Sequence, residues 1–277
     1  LDNYDCDGVY NGPTATVQII HNSASTTVDV YVDGALAVEG FEYRTATPVL
    51  VLPTSFTVGI APTGGDVIAE FPFELATDGS YVVTASGIVG NEDTPFNLLA
   101  STLDQAAQDD DSFALKVLHG VTDAPAVDIY ANGALLVENL AYGDYAGYVQ
   151  VPAADYTIDV TAHGSSAAVA SFSAPLAGLG GGAGVVYASG FLAPTETDSA
   201  FTLILATPSG YTVELPATGT ALDIGSENLR LPNSFTLNQN YPNPFNPSTF
   251  ISFTLEEAGN IEVEIRDVSG RLVKSVM

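Results

Sequence analysis

A chain of 277 residues, 46% hydrophobic and 14% charged, holds enough apolar material for packed cores and has room for about two domains at ~100–200 residues each. Six Lys and Arg stand against 33 Asp and Glu, a formal net charge of −27 that repels nucleic acid and anionic lipid and excludes both as partners. The lone Cys6 excludes a disulfide within the chain, and no apolar run reaches the ~18–20 residues of a membrane span, so no membrane insertion is expected.

Residues 1–14 read as an acidic N-terminal segment. Within it Asn3, Asp5, Asp7 and Gly8 fall at positions 1, 3, 5 and 6 of a calcium-loop spacing, with oxygen ligands at alternate residues and a glycine for the turn. Thr14 stands where that loop needs a bidentate Glu. Two readings follow: Asn3, Asp5 and Asp7 as ligands of Ca2+, or a polar terminus. No other cofactor is expected.

Residues 15–104 carry a β pattern. Val17 and Ile19 open a strand ending at His21, and Val28, Val30 and Val32 alternate with Asp29, Tyr31 and Asp33. Asp33-Gly34, flanked by alternating apolar residues, is a two-residue hairpin signal. Further strands are expected at residues 48–52, 56–60, 67–75, 81–86 and 96–100, separated by Pro-, Gly-, Asn- and Asp-bearing turns. Strands this short, at about ten-residue spacing, indicate a sandwich or barrel.

An acidic linker is expected at 105–112, and residues 113–215 then repeat the first module. Val127 to Tyr142 aligns with Val28 to Tyr43 at an offset of 99, with nine identities in sixteen positions. His119 mirrors His21, Pro152 mirrors Pro53, and Ala188-Ser189-Gly190 mirrors Ala85-Ser86-Gly87. Asn132-Gly133 replaces Asp33-Gly34 and keeps two residues able to adopt positive φ. A second linker is expected at 216–230.

Both modules resemble the DUF4397 family. The resemblance rests on Val17 to His21 and Leu115 to His119, on the Val28 to Tyr31 and Val127 to Tyr130 strands, and on the Asp-Gly or Asn-Gly turn. It implies an extracellular, β-rich, often tandem architecture without an established activity.

Few constellations point to chemistry. His21 and His119 occupy matching strand ends before turns, where packing or turn capping is the simplest role. Asp29 and Asp128 sit in separate modules, so they are not expected to act as an acid/base pair. Gly178, Gly180 and Ala183 fit a dinucleotide fingerprint, but the Val185-Val186-Tyr187 run after them reads as strand, which offers no helix N-terminus for a phosphate. No nucleophile elbow is present. No catalytic or cofactor-binding residue is nominated, and the chain is not expected to be an enzyme. Tyr31, Tyr43, Tyr130, Tyr142, Tyr145 and Tyr148 are expected on the surface, to stack on sugars or on another subunit, or to cover sandwich edges and corners.

At the C-terminal end, Asn240 to Pro247 places three prolines in eight residues, a stiff connector that is neither helix nor central strand. Alternating segments at 250–255 and 261–266 and a turn into Leu272 and Val273 suggest a small meander. The run from Leu231 through Asn240-Tyr241-Pro242-Asn243-Pro244-Phe245 to Phe253, with Gly270-Arg271-Leu272-Val273, resembles the start of the C-terminal sorting domain of type IX secretion substrates from Bacteroidetes and related phyla. Residues 231–277 match about half of one. That resemblance implies export by the type IX machinery, with residues 231–277 as the element recognised.

The sequence therefore predicts an all-β chain of two tandem antiparallel immunoglobulin-like sandwiches and an incomplete C-terminal β-segment. It is expected to be secreted or displayed on the cell surface, as a non-catalytic structural protein that pairs with itself or other surface components through strand edges into a filament or layer. A monomeric adhesin or glycan-binding protein is the alternative.

Overall fold

The computed structural model describes residues 10–24, 27–219, 236–237, 253–254, 264–266 and 271–275. All regular elements among them are strands. Leu1–Leu222 forms one compact unit and Asp223–Met277 a second.

The first module contains β1 (Thr14–His21), β2 (Val28–Val32), β3 (Ala35–Phe41), β4 (Leu50–Pro53), β5 (Ser55–Pro62), β6 (Ala69–Glu74), β7 (Ser80–Ser86) and β8 (Asn97–Thr102). They form an outer sheet in the order β3-β2-β5-β6 and an inner sheet β4-β1-β7-β8. Val17, Ile19, Val30, Phe56, Val58 and Val83 meet between the sheets as the core.

The second module contains β9 (Ser112–Leu118), β10 (Val127–Ala131), β11 (Ala134–Leu140), β12 (Tyr145–Pro152), β13 (Asp155–Ala162), β14 (Ala168–Pro175), β15 (Ala183–Ser189), β16 (Thr202–Ala206), β17 (Thr212–Glu214) and β18 (Ala217–Gly219). Its outer sheet runs β11-β10-β13-β14-β18 and its inner sheet β12-β9-β15-β16-β17, around a core that includes Phe113, Ile158 and Phe172. The all-β, tandem-sandwich architecture is thus present. Within it, β1 with β7 and β9 with β15 pair in parallel, while every other ladder of the two sandwiches is antiparallel.

The duplicated hairpin turn has a clear physical basis. Asp33 and Gly34 take φ of 49 and 79°, and Asn132 and Gly133 take 49 and 78°, the two positive values a tight hairpin requires. Asp33 Oδ1 accepts the Thr57 N–H at 2.8 Å and Asn132 Oδ1 accepts that of Thr157 at 2.8 Å, so either side chain, with one acceptor oxygen, grips the neighbouring strand.

The segment at 105–112 does not hold two bodies apart. Leu103, just before it, is buried, and the two inner sheets stack on each other through Ile20, Val82, Leu118, Val185, Tyr187 and Ile204. Four layers result. Because both faces of each inner sheet are covered, β1, β7, β9, β15 and β16 are buried almost continuously, whereas β6 alternates between half-buried and exposed.

In the second unit, β19 (Thr236–Leu237) pairs antiparallel with β20 (Phe253–Thr254), and β21 (Glu264–Arg266) with β22 (Leu272–Ser275). The proline-rich connector lies outside the described residues.

Candidate functional site

The calcium candidates Asn3, Asp5 and Asp7 lie outside the described residues, as does Cys6. Among the described residues no group of three His, Cys, Asp or Glu is placed to hold a metal ion.

Asp29 and Asp128 are buried turn anchors. Asp29 accepts the N–H groups of Gly40 and Gly64, each at 2.8 Å, tying the bulged strand β3 and the loop after β5 to β2. Asp128 accepts the N–H groups of Asn139 at 2.7 Å and Gly164 at 3.1 Å, and its Oδ1 lies 2.8 Å from His163 Nδ1. Backbone donors hold both carboxyls below the usual carboxylate range, Gly40 leading at Asp29 and Asn139 at Asp128. His163, which follows β13 where Thr63 follows β5, is the added partner of Asp128.

His119 is buried at the end of β9. Its Nε2 lies 2.9 Å from the Pro125 carbonyl oxygen and its Nδ1 accepts the Val121 N–H at 3.4 Å, as the neutral ring protonated at Nε2 does. Burial lowers its pKa, against the Pro125 bond. His21, its equivalent, packs against Phe41 and Tyr43 with ring centroids 5.6 and 6.1 Å away. At the glycine-rich run, Gly184 lies within strand β15.

The six tyrosines expected on the surface are all half-buried, a correction: four of them face the seam between the modules, and Tyr31 and Tyr130 lie in the outer-sheet strands β2 and β10. The Tyr43 hydroxyl lies 2.8 Å from Ser189 Oγ, and that of Tyr142, its counterpart in the repeat, 3.3 Å from Ser86 Oγ. Each module thus offers the same Tyr and Ser to the other, about a pseudo-twofold axis. Tyr145 donates to Thr84 Oγ1 at 2.7 Å and Tyr148 to the Asp104 carbonyl at 3.4 Å. Burial raises both phenol pKa values, that of Tyr148 to about 12.

Sequence reading missed Lys116 and Gln18, which occupy matching positions in β9 and β1. Buried Lys116 lies 4.8 Å from the Tyr148 ring and 5.5 Å from that of Tyr145, and donates to Ser101 Oγ at 2.7 Å. Burial lowers its pKa, and Asp104 works against that shift. Gln18 Nε2 donates across the seam to the Thr207 carbonyl at 2.6 Å. A polar residue in the middle of an apolar strand was the available signal.

Two apolar hollows sit at corresponding ends of the modules. In the second, a cavity of ≈ 130 Å³ is lined by His119, Val127, Val160, Val169 and Phe201. In the first, a groove of ≈ 830 Å³ opens beside Val28, Ile60, Ile68, Phe71 and Phe96. The sheets of the first module end there on edge strands β6 and β8.

A sequence model for DUF4397, a domain of unknown function, matches residues 15–119 and 113–197. No curated protein matches the chain.

Proposed function

Because the chain belongs to the DUF4397 family, a membership that names no activity, we propose from its own geometry that it is a non-catalytic structural protein. In this reading it is secreted or displayed on the outer cell surface and assembles with itself, or with other surface components, through strand edges. The observation that carries the reading is the pair of edge strands β6 and β8 flanking an apolar groove. Unpaired edges beside exposed apolar surface are templates for another chain. Internal partners hold the buried ionisable side chains Asp29, Asp128, His119 and Lys116, which argues against a reactive set at these positions. Four of the six tyrosines that a glycan-binding reading needs, Tyr43, Tyr142, Tyr145 and Tyr148, are engaged at the seam, which favours assembly over that alternative.

Electron microscopy of the purified chain, in salt and with calcium, tests assembly. Fibres or sheets are expected; a monodisperse monomer in light scattering at high concentration would overturn the reading.

Export follows from the tail. Residues 231–277 resemble a type IX sorting element, and in the proposed role they address the chain to that machinery. In a host that has it, the full chain should reach the medium or cell surface and a chain lacking 231–277 should stay inside. Equal export of both would remove this part of the proposal.

A further inference from the structure

The strand registers align the two modules residue by residue, so each module shows what the other lacks. Phe71 corresponds to Phe172, Phe96 to Phe201, Leu98 to Leu203 and Ala100 to Leu205. The ring pair is kept, with centroids 5.8 Å apart for Phe71 and Phe96 and 5.5 Å for Phe172 and Phe201. In the second module this side is sealed by the chain's own Thr212–Gly219 stretch: β17 extends the inner sheet, β18 extends the outer one, and Leu215 between them is 2% exposed. Its N–H donates to the Leu203 carbonyl at 2.8 Å. In the first module the chain passes from β8 toward β9, and nothing equivalent follows among the described residues. Phe71 and Leu98 are therefore only half-buried and Ala100 is exposed, where Phe172, Leu203 and Leu205 are buried.

The two open edges differ. In the second module the Ser173 N–H donates to the Pro216 carbonyl at 2.8 Å, a bond that joins the sealing segment to the outer sheet. The corresponding residue of β6 is Pro72, which has no N–H to give. Thr57, opposite Pro72, directs both its backbone groups to Asp33, so the nitrogen of Pro72 faces the free edge and blunts it. No proline interrupts β8. The Leu103 N–H reaches inward to Ser80, so by alternation Leu98, Ala100 and Thr102 direct their backbone groups outward, the Leu98 N–H donating to Asn97 Oδ1 at 2.9 Å.

We propose that β8 and the adjoining groove form an acceptor site for an extended segment of a second copy of this chain. The segment lies antiparallel on β8 and places an apolar side chain where Leu215 sits in the second module. This rests on the assembly reading and gives it a direction: β8 accepts and β6 is closed. A second copy is the fitting occupant because the stretch that covers the same surface in the second module is a piece of this sequence.

The test uses the full chain. Ala100→Pro removes an outward N–H without touching the pairing with β7, and Ala100→Lys puts a charge on β8 at the position where Leu205 is buried in the second module. Both are expected to stay monomeric in light scattering where the parent assembles, with unchanged near-ultraviolet circular dichroism. A synthetic peptide of residues 210–219 should block parent assembly and slow amide exchange at Ala100 and Thr102, and its Leu215→Asp version should do neither. Parent-like assembly of a folded variant, with no exchange protection by the peptide, overturns the acceptor and leaves assembly through another edge standing. If the parent itself never assembles, the functional reading falls, and exchange protection by the peptide alone decides the acceptor.

Discussion

At Asp29 and Asp128 a carboxylate is buried where two chain turns present N–H groups, and its charge is balanced by those donors alone or with His163. Each folded-state pKa is depressed, so each carboxylate contributes stability that is present above the unfolded value of about 4 and lost as pH falls through the folded value. His119 adds to acid sensitivity from higher pH. Its folded pKa is also depressed, so below about 6.5 the unfolded chain takes up a proton that the folded chain refuses, and stability falls as pH drops from there. Asp29→Asn turns an amide donor toward one of two glycine N–H groups, and it should lower the melting temperature by several degrees at pH 7. The gap to the parent should narrow as melts are run at pH values below the unfolded value of about 4, and close once the parent carboxylate is protonated in the folded chain. A gap that stays constant with pH would remove the carboxylate from this role. From sequence the two Asp residues were visible only as mid-strand polar positions, because the backbone donors lie 11 and 35 residues away from Asp29 and 11 and 36 away from Asp128.

Between elements, legibility followed the number of covered faces. Strands with one wet face, such as β2, β3 and β6, show the alternation or turn chemistry that marks them, and the Asp33-Gly34 and Asn132-Gly133 hairpins form as their residues dictate. Inner-sheet strands lack that alternation. Val82-Val83-Thr84-Ala85 and Leu203-Ile204-Leu205 are continuous apolar or small-residue runs, a pattern for strands covered on both faces that signals the stacked sheets in retrospect. The parallel pairings of β1 with β7 and β9 with β15 were not legible, since pairing partners distant in sequence leave no local mark. Nor were β17 and β18: three residues each, around Leu215 and Pro216, they fall below any periodic signal, and the stretch from 216 reads as a linker. Their weight is testable. Leu215 closes the second core, so Leu215→Ala should destabilise the body by about 2–5 kcal/mol in urea unfolding, as for other buried leucines. A change under ~0.5 kcal/mol would mean that β17 and β18 are ornaments on an already closed sandwich.

Across the Leu1–Leu222 body, the duplicated modules meet through corresponding surfaces, and the differences between the copies are what let the surfaces fit. A perfect copy would bring identical side chains to matching places on both sides of the pseudo-axis. Instead Tyr145 on one side stands where Ala46 stands on the other, Tyr187 where Thr84 stands, and Lys116 where Gln18 stands. Gly120 is the sharpest case. It matches Asn22, whose side-chain amide donates to the Ala188 carbonyl across the seam at 3.0 Å, and a Cβ at position 120 would lie 2.1 Å from that amide nitrogen and 2.5 Å from the same carbonyl oxygen. With an apolar layer and cross-seam bonds from Gln18, Asn22, Tyr43 and Lys116, neither module should unfold alone, and calorimetry of the parent should show one transition for this body. Gly120→Ala must displace Asn22 or part the inner sheets, at a cost of roughly 1–3 kcal/mol by the usual scale of overpacking. Because that strain lies at the seam and not in either core, the expected signature is a lower melting temperature with the endotherm broadening or splitting into two. A variant that melts later than the parent, or a parent that already melts in two steps, would mean that the sandwiches are joined only by their linker.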